Sequence, residues 1–124
     1  MKKQIICNKA PSAVGPYSQA IAVNGMLFVS GQLPINPNTG EVSDGIAEQT
    51  RQTLENIKSI VEEAGGTMGS VVKCSVFLTD FGEFAEMNEV YKEFFKEPYP
   101  ARVTVEITKF PRNIKIEIDA IAVI

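Results

Sequence analysis

Apolar and polar positions repeat with two different periods along this chain, and the switches between them outline its elements. Residues 20–23 and 26–30 are apolar runs on either side of Asn24-Gly25. Both turn residues tolerate positive φ, so the pair predicts a tight β-hairpin. Over residues 46–64 the period lengthens. Ile46, Thr50, Leu54, Ile57, Val61 and Ala64 fall on one stripe, and Glu48, Arg51, Glu55, Lys58 and Glu62 fall off it. That spacing predicts a helix, with Gly65-Gly66 as its stop. Residues 71–78 read as a strand rich in apolar side chains.

A second helix is expected after Asp80, which can cap it, with Glu83 placed to close a capping box. Phe84, Met87, Tyr91, Phe94 and Phe95 form its apolar side, Asn88 lies off that stripe, and Pro98 and Pro100 end it. Residues 102–107 and 114–124 predict two strands around a turn at 110–113. Pro and Gly cluster at 10–16 and at 31–45, and both stretches read as loops. The order hairpin, helix, strand, helix, hairpin predicts an α+β fold, a single mixed sheet with two helices on one face.

The last two strands carry further information. Val103, Val105 and Ile107 share one face of theirs, and Ile114, Ile116, Ile118, Ala120, Ala122 and Ile124 share one face of the other. If both apolar sets cover the helices, strict alternation sends Arg102, Thr104, Glu106, Lys115, Glu117 and Asp119 to the opposite, helix-free face. That face is then charged near Arg102 and Glu117 and apolar towards Ile121 and Val123. Such a surface is expected to be covered by another subunit, with Arg102 and Glu117 lining the cleft between them. The alternative is an exposed cross-strand ion pair, worth under about 1 kcal/mol.

Composition narrows the chemistry. At 124 residues, one domain spanning 1–124 is expected. There is no histidine, which removes Ser-His-Asp and Cys-His catalysts and histidine-based zinc sites. Cys7 and Cys74 form no CxxC and read as buried apolar residues in a reducing compartment. A net charge of −3 lacks the electrostatic footprint of a nucleic-acid binder. Neither a secretory leader nor a membrane-spanning run is legible, so the expected location is the cytoplasm.

Three segments resemble one family. Tyr99-Pro-Ala-Arg102-Val-Thr-Val-Glu-Ile107 with Asn113-Ile-Lys-Ile-Glu117-Ile-Asp-Ala-Ile-Ala122 is similar to the C-terminal signature of the Rid (YjgF) proteins. Ala10-Pro-Ser-Ala-Val-Gly-Pro-Tyr-Ser-Gln19 and Val29-Ser-Gly-Gln-Leu-Pro34 are similar to that family's N-terminal loop and first hairpin. The resemblance covers essentially the whole chain. It implies a chorismate-mutase-like homotrimer whose sheets face the threefold axis, with ligands in clefts between subunits. It also implies cofactor-free and metal-free hydrolysis of short 2-imino acids, such as 2-iminobutanoate and 2-iminopropanoate, to 2-oxo acids and ammonium. Arg102 would bind the substrate carboxylate and Glu117 would position or activate water, with the Arg102 charge favouring ionised Glu117. Tyr17, Ser30, Gly31 and Asn88 match positions that shape the family's cleft.

One residue departs from the pattern. Many members carry Cys two residues after the arginine, where this chain has Thr104, whose hydroxyl remains able to donate to a ligand. Each of the flanking residues also has a plainer reading: Gly31 and Ser30 as strand-end residues, Tyr17 as interface packing, Asn88 as surface. Other functions for the same residues are a 2-oxo acid sensor without turnover, an RNA-cleaving translation inhibitor, or a holdase.

Overall fold

The computed structural model describes residues 1–124. Its elements are β1 (Lys3–Ile5), β2 (Ala20–Val23), β3 (Met26–Gln32), α1 (Ile46–Glu63), β4 (Val71–Leu78), α2 (Phe84–Phe94), β5 (Ala101–Glu106) and β6 (Ile116–Val123). The β2–β3 hairpin forms as its turn chemistry dictates, with φ of 52° at Asn24 and 75° at Gly25. β1 adds an edge strand that the residue pattern did not signal, and β3 runs through Gly31 to Gln32, which the loop reading of 31–45 had excluded.

α1 buries Ile46, Leu54, Ile57, Ile60 and Val61. It stops where expected: Gly66 N donates to the Val61 carbonyl and Gly65 N to that of Glu62, while Gly65 takes a φ of 95°. That is a Schellman closure, which needs a left-handed residue at the Gly65 position. The same helix also buries Gln49, Thr50, Thr53 and Asn56. Two of these amides serve as internal ties. Gln49 donates to the carbonyls of Ser43 and Asn113 and accepts from Lys115 N, and Asn56 donates to the carbonyls of Leu33 and Ile35. Each tie holds a connecting loop that would otherwise bury unpaired backbone groups, at about 1–3 kcal/mol apiece.

α2 begins later than the sequence suggests. Asp80 accepts from Gly82 N in a short 3-10 turn at Phe81–Glu83, and Phe81 N is taken by the Glu106 carboxylate. Glu83 closes no capping box; it pairs with Lys115 at 3.3 Å instead.

Sheet order is β1-β2-β3-β6-β4-β5, antiparallel except for the parallel β4/β5 pair. One sheet carries both helices, so the α+β class stands. The expected final hairpin does not form. β6 inserts between β3 and β4, and β5 lies on the outer edge beyond β4. The crossover through α2 explains this, since a helix between two strands favours a parallel neighbour.

That topology reverses the parity expected for β5. Arg102, Thr104 and Glu106 pair with Cys74, Val76 and Leu78, which are fully buried on the helix side. Val103 and Val105 pair with Ser75 and Phe77 and stand on the helix-free face, 45% and 39% exposed. Glu117 pairs with Phe77 and Asp119 with Ser75, so those two do lie on the helix-free face. Arg102 and Glu117 therefore point to opposite sides of the sheet. The assumption that failed was that the more apolar side of an edge strand must cover the helices. Here the helix side of β5 is occupied by an arginine packed on aromatic rings.

Both cysteines are buried and unpaired. No helix is long and apolar enough to cross a membrane.

Candidate active site

The residues singled out in the sequence form two groups, held by different elements. The first surrounds Arg102. Its Nη1 donates to Asn88 Oδ1 at 2.8 Å, and its guanidinium carbon lies 4.7 Å from the centre of the Tyr91 ring and 5.5 Å from that of Phe84. Phe84, Asn88 and Tyr91 are spaced i, i+4, i+7, so all three project from one face of α2 towards β5. Asn88 thus sits within the aromatic stripe and is half-buried, which corrects its reading as an off-stripe residue. A cavity of about 500 Å³ opens here, lined by Asn88, Tyr91, Lys92, Tyr99, Pro100 and Arg102. Thr104, two residues along β5, is half-buried on the same side as Arg102.

Tyr91 closes the inner wall of this group. Its hydroxyl is buried beside the Cys74 thiol, in a contact too loose for a regular hydrogen bond. Burial, above all, pushes the Cys74 thiol up to about 11, so Cys74 is neutral packing and not a nucleophile at neutral pH. Phe84 and Tyr91 read as core in the sequence. Their spacing around a polar Asn88 was the available signal that they hold something other than apolar neighbours.

The second group gathers at the end of β3. A cavity of about 210 Å³ lies between the residue 11–17 loop and β3, with Val14, Tyr17, Gln19 and Gly31 in its lining. Gln19 anchors the loop from beneath. Its Oε1 accepts from Cys7 N at 2.8 Å, and its Nε2 donates to the carbonyls of Cys7 and Pro11 at 3.0 and 2.8 Å. Tyr17 remains half exposed, its hydroxyl accepting from Val14 N at 3.3 Å. The Ser30 hydroxyl is spent on the Ser18 carbonyl at 2.6 Å, so this side chain positions the loop.

Gly31 has a steric reason to be glycine. Val29 pairs with Ala120 and Gln32 with Ile118, which leaves two β3 residues opposite one on β6. This bulge brings the Gly31 backbone against Glu117, and a Cβ on residue 31 would collide with the Glu117 carboxylate. Burial, and secondarily the neighbouring Asp119 charge, hold the Glu117 carboxyl above its ordinary value of 4.5. The Arg102 charge, expected to favour ionised Glu117, is not among the influences within one chain, because the two lie across the sheet from each other. A carboxylate reluctant to ionise is a better base than an ordinary one once it has lost its proton. With Glu117 as the base, Asp119→Asn is expected to move the acid limb of kcat/KM down by removing a like charge. A pH profile unmoved by Asp119→Asn would exclude the Asp119 charge as a cause.

The candidate residues thus lie in two separate groups on one chain: Asn88, Arg102 and Thr104 on the helix side of β5, and Tyr17, Gly31 and Glu117 at the bulged end of β3 and β6. The comparisons with known proteins agree along the full length of the chain. A family model described as Endoribonuclease L-PSP matches residues 7–124. A RutC family protein of Pyrococcus abyssi is 53% identical over 122 residues, covering 98% of this chain and 96% of the relative. A 2-iminobutanoate/2-iminopropanoate deaminase of Escherichia coli K12 is 48% identical over 126 residues, covering 99% and 98%. Among solved structures, Escherichia coli TdcF with bound serine superposes with a TM-score of 0.93 at 46% identity over 98% of each chain.

Proposed function

Since this chain belongs to the endoribonuclease L-PSP family, which takes in the RutC and Rid proteins, we propose that it hydrolyses short 2-imino acids to 2-oxo acids and ammonium. The reaction takes place in a cleft built by two copies of the chain. The observation that carries this reading is the separation of the two groups, each a half-site. Arg102 and Glu117 cannot meet across their own sheet, so a site that uses both takes one from each of two neighbouring copies.

The helix-free face supports the assembly. Phe28, Val103, Val105 and Val123 are all exposed there, next to the half-buried Ile121. Two apolar groups, Phe28 with Ile121 and Val123, and Val103 with Val105, thus flank the polar Lys73, Ser75 and Asp119 on this face. Their exposure favours burial against other copies, and a closed ring of three places every chain in the same environment.

In that cleft the Arg102 fork binds the substrate carboxylate in two parallel hydrogen bonds, which fixes the adjacent imine carbon. Glu117 of the neighbouring copy accepts a proton from water as the water oxygen attacks that carbon of the protonated imine. The guanidinium nearby offsets part of the cost of ionising Glu117. The C–N bond of the resulting carbinolamine then breaks. The proton held by Glu117 passes to the departing nitrogen, and the carbinolamine hydroxyl gives its proton through Glu117 to the released ammonia, leaving the 2-oxo acid and ammonium. Imines of this class already react with water, so a positioned base contributing about 10²–10⁴-fold is sufficient. Thr104 leaves no thiol on this side of β5, and no step requires one.

The test is a coupled assay. 2-Iminobutanoate is generated in situ by a threonine dehydratase, semicarbazide competes for the imine, and diversion of flux to 2-oxobutanoate is followed. The wild-type chain is expected to divert flux and Arg102→Ala is not. No diversion by a folded, assembled wild-type protein would overturn the proposal. The serine bound in TdcF carries the same α-carboxylate and favours a second reading, in which the cleft senses 2-oxo or amino acids without turnover. Glu117→Gln separates the two: hydrolysis is expected to collapse while 2-oxobutanoate binding survives. Ribonuclease activity finds little support in a chain with net charge −3 and no histidine.

A further inference from the structure

We propose that Phe84 and Tyr91 are positioning residues which, with Asn88, clamp the Arg102 guanidinium so that its charge is oriented yet left free for a carboxylate ligand; this rests on the reading of Arg102 as the carboxylate anchor.

Arg102 is half-buried and takes part in none of the ion pairs in the chain. A half-buried guanidinium is normally paired, because desolvating an uncompensated charge is costly. Two aromatic faces and one amide oxygen compensate it here. Both ring centres lie within the roughly 6 Å over which a ring quadrupole attracts a cation. A carboxylate in their place would hold the arginine as firmly, but it would also cancel the charge and compete with the substrate for the same donors. Ring faces attract the cation while leaving its in-plane N–H groups unused. Asn88, a neutral acceptor, takes one donor at Nη1 and sets the rotation of the fork.

Both jaws of the clamp are braced from behind. Phe84 meets Phe81 edge-on, with centroids 5.8 Å apart and planes at 76°. Tyr91 packs on Phe95 with centroids 4.7 Å apart. Each ring is thus backed by an aromatic neighbour outside the cavity lining, so the guanidinium rests against supported surfaces. Such bracing limits the rotamer entropy Arg102 would otherwise lose when a ligand binds. Lys92, the other cation lining the cavity, has no such mounting. It is exposed and paired with Glu89 at 3.0 Å, which leaves Arg102 as the unneutralised charge.

The experiment compares Phe84→Leu, Tyr91→Leu and Tyr91→Phe with the wild type. Three readouts are used: calorimetric affinity for 2-oxobutanoate, KM and kcat for imine hydrolysis, and the NMR resonance of the Arg102 Nε–H. Loss of either ring is expected to weaken 2-oxobutanoate binding and raise KM by about 2- to 30-fold. kcat is expected to hold, because the arginine contacts the ground state and the transition state alike. Tyr91→Phe keeps the ring and is expected to recover most of the loss. In the wild type the rings are expected to shift the Nε–H resonance upfield, and each leucine variant is expected to move it back towards that of a free arginine. Folded leucine variants with unchanged affinity and an unmoved Arg102 resonance would overturn the clamp. So would equal losses in kcat and KM that Tyr91→Phe fails to recover. If Tyr91→Leu does not fold, the half-buried Phe84 carries the test. If the wild type neither hydrolyses imine nor binds 2-oxobutanoate, the proposed function fails and the resonance alone decides the clamp.

Discussion

Arg102→Ala and Glu117→Ala chains, each inactive alone, are expected to regain imine hydrolysis when they are unfolded together and refolded as mixed assemblies. The expectation follows from strand placement. Arg102 pairs with the fully buried Cys74 on the helix side of β4, whereas Glu117 pairs with Phe77 on the other side. A working cleft then draws its arginine from one chain and its carboxylate from the next. In a random three-membered ring made from equal amounts of the two variants, about a quarter of the clefts pair an intact Arg102 with an intact Glu117. Specific activity should therefore recover to about that fraction of wild type, from a background lower by at least about 10² in each variant alone. Mixing the folded variants without exchange is expected to give nothing. A refolded mixture as inactive as its components would mean that both residues serve one chain's site, and the two-copy cleft would be abandoned.

Phe28→Lys is expected to convert the assembly to single chains of 13.6 kDa in light scattering, and to abolish hydrolysis with it. Phe28 is already 40% exposed within one chain, paired with Ile121 in the middle of the helix-free face. A lysine there costs the isolated chain little. In an interface it would be a buried, unpaired cation, at several kcal/mol per copy. Far-ultraviolet circular dichroism should stay unchanged, which separates lost assembly from lost folding. A Phe28→Lys protein that remains three times the chain mass, or that hydrolyses imine as a monomer, would contradict the proposed cleft.

The candidate site was legible in part, and the division has a physical origin. Arg102 and Glu117 stand out because they are charged positions alternating with apolar ones in two strand patterns, whereas Gly31 is marked only by its resemblance to a position in the family's cleft. Their relation in space was not legible. Alternation along β5 separates Arg102 and Thr104 from Val103 and Val105 with certainty. It does not say which set meets the helices, because that depends on the strand's neighbour. With β6 as the neighbour, the valines would have faced inward. With β4 as the neighbour and α2 overhead, the arginine does, and Phe84, Asn88 and Tyr91 receive it. Asn88 illustrates the same point. Counted along the chain it is one of several polar residues in an amphipathic helix, and only the presence of β5 gives its amide oxygen something to accept from.

What this sequence determined by itself closes within a few residues, although the expected Asp80–Glu83 capping box shows that a distant partner such as Lys115 can override a local closure. The Asn24-Gly25 turn, the α1 stripe and its Gly65 closure, and the Asp80 interaction with Gly82 N rest on local φ preferences and on contacts between residues two to five apart. The order of the strands rests on pairings between residues far apart in the chain, such as Leu27 with Ala122 and Val71 with Ala122. Those pairings are chosen by the total apolar surface buried when β6 enters between β3 and β4, a sum over the whole molecule that no single segment encodes. The facing of Arg102 follows from that choice, and with it the separation of the two half-sites across the sheet.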